Sequence, residues 1–212
     1  MRALATLLAI LLSACRPEPA EPTVERTPAE RLAALGEIAS STHQPIEIAG
    51  RVTGTGVHFF AQYDPANETL IYELKTPQGT ERIVVDPESA IRSAPGGSDL
   101  AVNRESVMPN GKNWPYGCRM AAPFLDAIDG YAATIHSFHI EAATPPEGAE
   151  GVDSLAWFEL RLNRDKADDL LLLEFSKVSE LKIGVDQKSG RLKSLISMPE
   201  KGEPTPTEIR AE

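Results

Sequence analysis

The chain has 212 residues, with 21 Lys and Arg against 31 Asp and Glu and a formal net charge of −10. That balance removes the electrostatic footing on which binding to nucleic acid or to an anionic lipid surface rests. A hydrophobic content of 42% is ordinary for a globular domain, and the two cysteines are Cys15 and Cys118.

In chain order, Arg2 gives a short positive start and Ala3 to Leu12 form a short apolar core. A membrane-spanning helix needs about 20 apolar residues, so this run is too short to remain as a span. A positive end, a short apolar core and a small-residue site together predict a secretory signal peptide. The site, Leu12-Ser13-Ala14-Cys15, resembles the lipobox of bacterial lipoproteins. That resemblance implies lipid transfer to the Cys15 thiol, cleavage after Ala14 and acylation of the new amino end. Acyl chains anchor by burying CH₂ groups, each contributing about 0.8 kcal/mol. In such lipoproteins an Asp after the cysteine favours retention at the inner membrane. Arg16 stands there instead, which points to a periplasm-facing anchor in the outer membrane.

Residues 16–28, RPEPAEPTVERTP, are rich in proline and glutamate and have no apolar period, so residues 15–28 are expected to form an extended, lipidated tether. Thr27-Pro28-Ala29-Glu30 is a capping-box pattern with proline at the first helical position. Leu32, Leu35, Ile38 and Ala39 follow on one helical face, and Pro45 stops any continuation.

From Ile46 the period changes to two. IEIAGRV, VHFFAQY, TLIYELK and ERIVV read as strands, separated by glycines or by turns at Asp64-Pro65-Ala66-Asn67 and Thr76-Pro77-Gln78-Gly79, with Ala90 to Ser93 a candidate fifth. Residues 94–119 lose the pattern through Pro95, Gly96, Gly97, Pro109, Asn110-Gly111, Pro115 and Gly117. A segment of this kind is a functional loop or lid, or else disordered. It still carries Leu100, Val102, Val107, Met108, Trp114 and Tyr116, and large apolar side chains each gain roughly 1.5–3 kcal/mol on burial. These six are therefore expected to fold over the apolar face of the sheet as a lid.

A helical period returns from Met120 through Phe124, Ala127, Ile128 and Tyr131. Thr134 to Ala142 and LAWFELRL read as strands. In the latter, Phe158, Leu160 and Leu162 face one way and Trp157, Glu159 and Arg161 the other. DDLLLLEFSKV fits a short helix or a buried strand equally. LKIGV and RLKSLI form a hairpin around Asp186-Gln187-Lys188-Ser189-Gly190. The polar residues 200–212 are expected to be a disordered tail, leaving residues 29–199 as a single domain behind the signal peptide, 1–14, and the tether.

The reactive side chains are weak candidates for chemistry. Cys118 lacks a second cysteine for a redox pair once Cys15 carries lipid, and reads as a small buried apolar side chain. His136 and His139 stand three apart, but in a strand such positions point to opposite faces, and His43 and His58 have no patterned partner. No metal or cofactor is expected. Ser179-Glu180-Leu181-Lys182 carries the S-x-x-K letters of penicillin-binding enzymes, and Lys188-Ser189-Gly190 echoes a later element. The two lie too close together, on a hairpin, and S-D-N is missing. GxSxG, HExxH and P-loop patterns are absent, and Gly54-Thr55-Gly56 lacks the setting of a dinucleotide site.

A capped helix, a run of short antiparallel strands, an interrupting loop and helix, and the closing stretch LKIGVDQKSGRLKSLI together resemble the lipoprotein-carrier group. That group comprises the periplasmic lipoprotein carrier, the outer-membrane lipoprotein receptor and a related sigma-factor regulatory sensor. The resemblance implies an α+β fold in which a curved, unclosed antiparallel sheet is covered by an N-terminal helix and a central helix. It also implies a non-catalytic envelope lipoprotein that binds lipid or the acyl chain of a lipoprotein. The alternative is an interaction or sensor module of the cell envelope without a lipid cavity; a hydrolase with an unpatterned site is a third, weaker reading.

Overall fold

The computed structural model describes residues 26–40, 45–109, 115, 117–121, 124, 131–147, 152–175, 178–199 and 207–211. The expected signal peptide, Cys15, most of the expected tether, and most of the helix expected from Met120 lie outside these residues. The strands are β1 Ile46–Val52, β2 Val57–Asp64, β3 Thr69–Thr76, β4 Gly79–Val85, β5 Ala90–Ser93, β6 Leu100–Ala101, β7 Phe138–Ala142, β8 Leu155–Leu162, β9 Val178–Asp186, β10 Leu192–Pro199 and β11 Thr207–Ala211. Among the described residues the helices are α1 Pro28–Ser40, α2 Arg104–Val107, α3 Ala132–Ser137 and α4 Asp169–Phe175.

The eleven described strands join one sheet in the order β6-β5-β4-β3-β2-β1-β11-β10-β9-β8-β7. Every pairing is antiparallel, and the terminal strands β6 and β7 leave the sheet unclosed. The expected α+β class, an unclosed antiparallel sheet with helices over it, is the observed one.

Alternation explains why one face is the core. Register sets Ile48, Ala61, Tyr72 and Ile83 side by side across β1 to β4. It does the same for Phe158, Ile183 and Leu195 across β8 to β10, and all seven are buried. The opposite face carries charge pairs such as Arg82–Glu73 at 3.2 Å and Arg161–Glu159 at 2.5 Å. Short Asp-led turns fix the registers. Asp64 accepts from the Ala66 and Asn67 backbone N–H groups at 2.9 and 3.2 Å, and Asp86 accepts from Glu88 and Ser89 at 2.8 and 2.7 Å.

The capping box at the start of α1 is formed in both directions. The Thr27 backbone N–H donates to Glu30 Oε2 at 2.8 Å, and the Glu30 backbone N–H donates to Thr27 Oγ1 at 3.3 Å.

Four expectations are corrected or resolved. Residues 207–211 are not a loose tail: they form β11, an interior strand between β1 and β10. Their short, mixed sequence TEIRA has little pattern of its own, because a strand paired on both sides gains its stability from its neighbours. The segment Thr134–Ala142 is not all strand, since α3 runs to Ser137 and β7 begins at Phe138. Alanine-rich Ala132-Ala133-Thr134-Ile135 favours helix, and the Ile135 N–H reaches the Tyr131 carbonyl at 2.8 Å. The irregular stretch 94–119 contains β6 and the short α2, which Asn103 caps by accepting from the Glu105 N–H at 2.9 Å. The ambiguous 168–178 segment resolves into α4 followed by β9, because the Asp168 side chain accepts from the Leu171 N–H at 2.9 Å and caps the helix.

Candidate functional site

The apolar face of the sheet and the pieces lying on it form the candidate site. Leu32 of α1 is fully buried and Leu35 packs against the same core. An aromatic series links the covering pieces to β7. The Tyr131 and Phe124 ring centroids are 6.0 Å apart, Phe124 and Phe138 are 6.5 Å apart, and Phe138 meets Phe175 of α4 edge-on at 5.5 Å. Such tilted and edge-on arrangements suit the ring quadrupoles.

Three glycines set how closely these pieces approach. A Cβ on Gly36 of α1 would lie 2.5 Å from the Tyr131 ring. Gly117, at φ +82, brings its backbone onto the ring of Phe59 in β2. Gly190, at φ +69 in the β9–β10 turn, sits against the Leu35 carbonyl oxygen, and a Cβ there would also be 2.9 Å from the Ala39 nitrogen. Around this last contact, the Tyr131 hydroxyl donates to the Gly190 carbonyl at 2.8 Å, and Arg191 Nη2 donates to the Pro45 carbonyl at 2.8 Å. Burial pushes the Tyr131 phenol well above its ordinary range, with the Arg191 charge opposing. It therefore stays a hydrogen-bond donor.

At the other end of the sheet Arg104 fastens α2. Its Nε donates to the Asp86 carbonyl at 3.0 Å, and its Nη2 donates to the Glu68 carbonyl at 3.2 Å and to Glu68 Oε2 at 2.6 Å. Glu68 itself has a positive φ of 52. Arg104 and Gly36 had no signature in the sequence, and Tyr131 had one only as the end of the helical period that starts at Met120. Gly190 carried one as the glycine of a turn.

The expected lid residues have different fates. Val102, Val107 and Met108 are partly buried against the core, whereas Leu100 lies on the edge strand β6 and is 60% exposed. Trp114 and Tyr116 lie outside the described residues, as does Cys15, the residue expected to carry lipid.

The side chains considered for chemistry stand apart. Cys118 is fully buried, and burial pushes its thiol up to about 12, so it remains protonated near neutral pH. His136 is exposed on α3, His139 on β7 and His58 on β2, while His43 lies outside the described residues. Among the described residues no group of His, Cys, Asp and Glu could hold a metal ion. Ser179 of β9 donates to the Met198 carbonyl at 3.0 Å, and Lys182, three residues along the same strand, lies 3.6 Å from Glu180. That places the S-x-x-K letters on a strand ladder rather than in a pocket. The carboxyls held below their usual range, Glu30, Asp64, Asp86 and Asp186, each sit in a separate cap or turn, where side-chain or backbone hydrogen bonds favour the charged form. The arrangement offers an apolar surface under a cover. Among the described residues, no helix is long and apolar enough to cross a membrane.

No protein-family model and no curated protein matches the chain. Among solved structures it is similar to MucB, at 10% identity and a TM-score of 0.45, over 87% of this chain and 58% of that one. A second likeness is to the Pseudomonas aeruginosa MucA/MucB complex, at 10% identity and a TM-score of 0.42, over 86% of this chain and 56% of that one. A third is to a LolA superfamily protein from Nitrosomonas europaea, at 10% identity and a TM-score of 0.29, over 88% and 92%. The chain thus spans little more than half of the MucB chains it matches. TM-scores this low leave the reading of the chain to its own residues.

Proposed function

We propose that the chain is a non-catalytic cell-envelope lipoprotein, anchored to the outer membrane through acyl chains on Cys15, whose covered sheet face takes an apolar group. That group is a lipid or the acyl chain of another lipoprotein. One observation carries the reading: the unclosed sheet is apolar on one face across both its halves, and among the described residues that face is covered by α1 and by shorter pieces rather than by a second sheet. In this reading the stretch 94–119 is a lid, with Val102, Val107 and Met108 among its inward side chains, and it lifts when an acyl chain enters.

Mass spectrometry of the native protein purified from its own membrane tests both parts. The expected result is a cleaved chain beginning at an acylated Cys15, with a lipid bound in addition. An unmodified Cys15 would remove the anchor, and an acylated chain that repeatedly carries no lipid would remove the apolar-ligand reading.

A second reading is favoured by a separate observation. Ile91 and Leu100, on neighbouring strands at the open edge, are 42% and 60% exposed. An interaction module would dock a partner protein there, and Leu100→Lys would abolish that docking.

A further inference from the structure

β11 is the last of the described strands in chain order yet an interior strand of the sheet, and it stands between β1 and β10 in the sheet. The chain therefore builds two antiparallel meanders, β1–β6 and β7–β10, and joins them with a five-residue strand delivered through residues 200–206. Its hold on the two sides is unequal. Five residues, Thr207 to Ala211, are in register with β1, but only Glu208, Ile209 and Arg210 are in register with β10. By comparison, β10 pairs with β9 from Leu192 to Pro199.

The two meanders are also tied together without β11. Arg191, at the start of β10's hairpin arm, reaches the Pro45 carbonyl just before β1 at 2.8 Å. Gly190 of the same turn sits on the backbone of α1, the helix that leads into β1. These contacts join the β1 side and the β10 side independently of β11. The gap that β11 fills has its own readout. Backbone edges on both sides would supply ladder bonds to an extended segment, and the register sets position 209 between Gly50 and Leu195, with Glu208 beside Arg51.

We propose that the gap between β1 and β10 is a strand-acceptor site, that β11 occupies it as a separable ligand strand, and that the same segment from a second copy of this chain can take its place. Binding is by strand addition, with main-chain hydrogen bonds to both flanking strands supplying affinity. Exchange between copies conserves every contact of the closed form, which is why swapping an identical element is a low-cost route to a dimer. The proposal is independent of whether the covered face binds lipid.

The test uses the full chain with a protease site placed within residues 200–206 and cut after folding. The probe is a fluorescent synthetic peptide of residues 204–212. The expected result is saturable uptake of the probe by the cut protein as its own strand leaves. Binding to the uncut chain should be at least about 100-fold weaker, because the tethered strand competes at high effective concentration. A probe carrying Ile209→Pro should not bind. Three results would overturn the acceptor site: no exchange by a cut protein that keeps its circular dichroism, unfolding on cutting, or equal binding to the uncut chain. For exchange between copies, the concentrated uncut chain should give a dimer that excess probe dissolves. No dimer, or one indifferent to the probe, would overturn that part.

Discussion

Gly190→Ala is expected to be among the most damaging single-methyl changes in this protein, and Gly96→Ala supplies its control. Both glycines have left-handed backbones, at φ +69 and φ +68. An L-residue in that region costs roughly 1–2 kcal/mol, offset by about 0.4–1 kcal/mol through the lost entropy of the unfolded chain. Those two terms act alike at both sites. The surroundings do not: nothing lies within 4 Å of a Cβ at Gly96, whereas at Gly190 it collides with the Leu35 carbonyl oxygen. That oxygen is helix backbone and cannot rotate away, so α1 must shift off the β9–β10 turn. Overpacking of this kind costs about 1–3 kcal/mol. Gly190→Ala should therefore lose about 1–3 kcal/mol more than Gly96→Ala in urea unfolding at unchanged m-value, or about 2–12 °C in Tm for a chain of this size. Equal losses at the two sites would refute the claim that α1 is seated on the turn.

Other perturbations have defined outcomes. Cys118→Ala should leave function intact and cost about 1 kcal/mol, since one small apolar group is lost from the core, and a thiol reagent should label Cys118 only after unfolding; rapid labelling of the native protein would contradict its burial. Cys15→Ser should give a product without acyl chains, and unchanged lipid labelling would sink the anchor. The Asp186 carboxyl is held below its ordinary 3.8 chiefly by its bond to Ser189, so its contribution is present at neutral pH and lost as pH falls below about 4. Asp186→Asn should accordingly flatten the acid limb of the stability curve, and an unchanged limb would contradict this. Replacing residues 96–113 with a short Gly-Ser link should leave a soluble fold that binds an apolar dye and changes in lipid binding; a variant that takes up no dye would end the lid idea.

The strands β1 to β5 and β8 to β10 were legible because each has one buried face, which writes a period of two into the sequence. The start of α1 was legible because its capping box is local, spanning Thr27 to Glu30. β11 was not, since its stability lies in the edges of β1 and β10 rather than in Thr207–Ala211. The α3 segment was misread because alanines carry no facing pattern, and β-branched Thr134 and Ile135 favoured the wrong period. The site was harder still. Tyr131 and Gly190 are 59 residues apart in sequence, and Arg104 and Glu68 are 36 apart, so the contacts that position the cover are tertiary and leave no local trace. The resemblance to the lipoprotein-carrier group anticipated the architecture but not one of these fastenings.

Those fastenings differ in kind, and the difference bears on how a covered apolar face could be reached. At the β9–β10 turn, α1 is held by backbone pressed on backbone, with the Tyr131 hydroxyl bond buried beneath it. Releasing it would leave a buried donor and acceptor unsatisfied, at roughly 1–3 kcal/mol for each group. At the opposite end, the bonds of Arg104 to Glu68 and to the Asp86 carbonyl are exposed. Water can replace them, and exposed ion pairs contribute only about 0–1 kcal/mol. An acyl chain entering beneath the cover would meet the smaller resistance at the α2 end, beside the open edge where Leu100 already faces solvent. The same asymmetry gives the interaction reading its surface. Lipid access and partner docking would then compete for the α2 and β6 end of the sheet, while the α1 end remains the fixed frame for both.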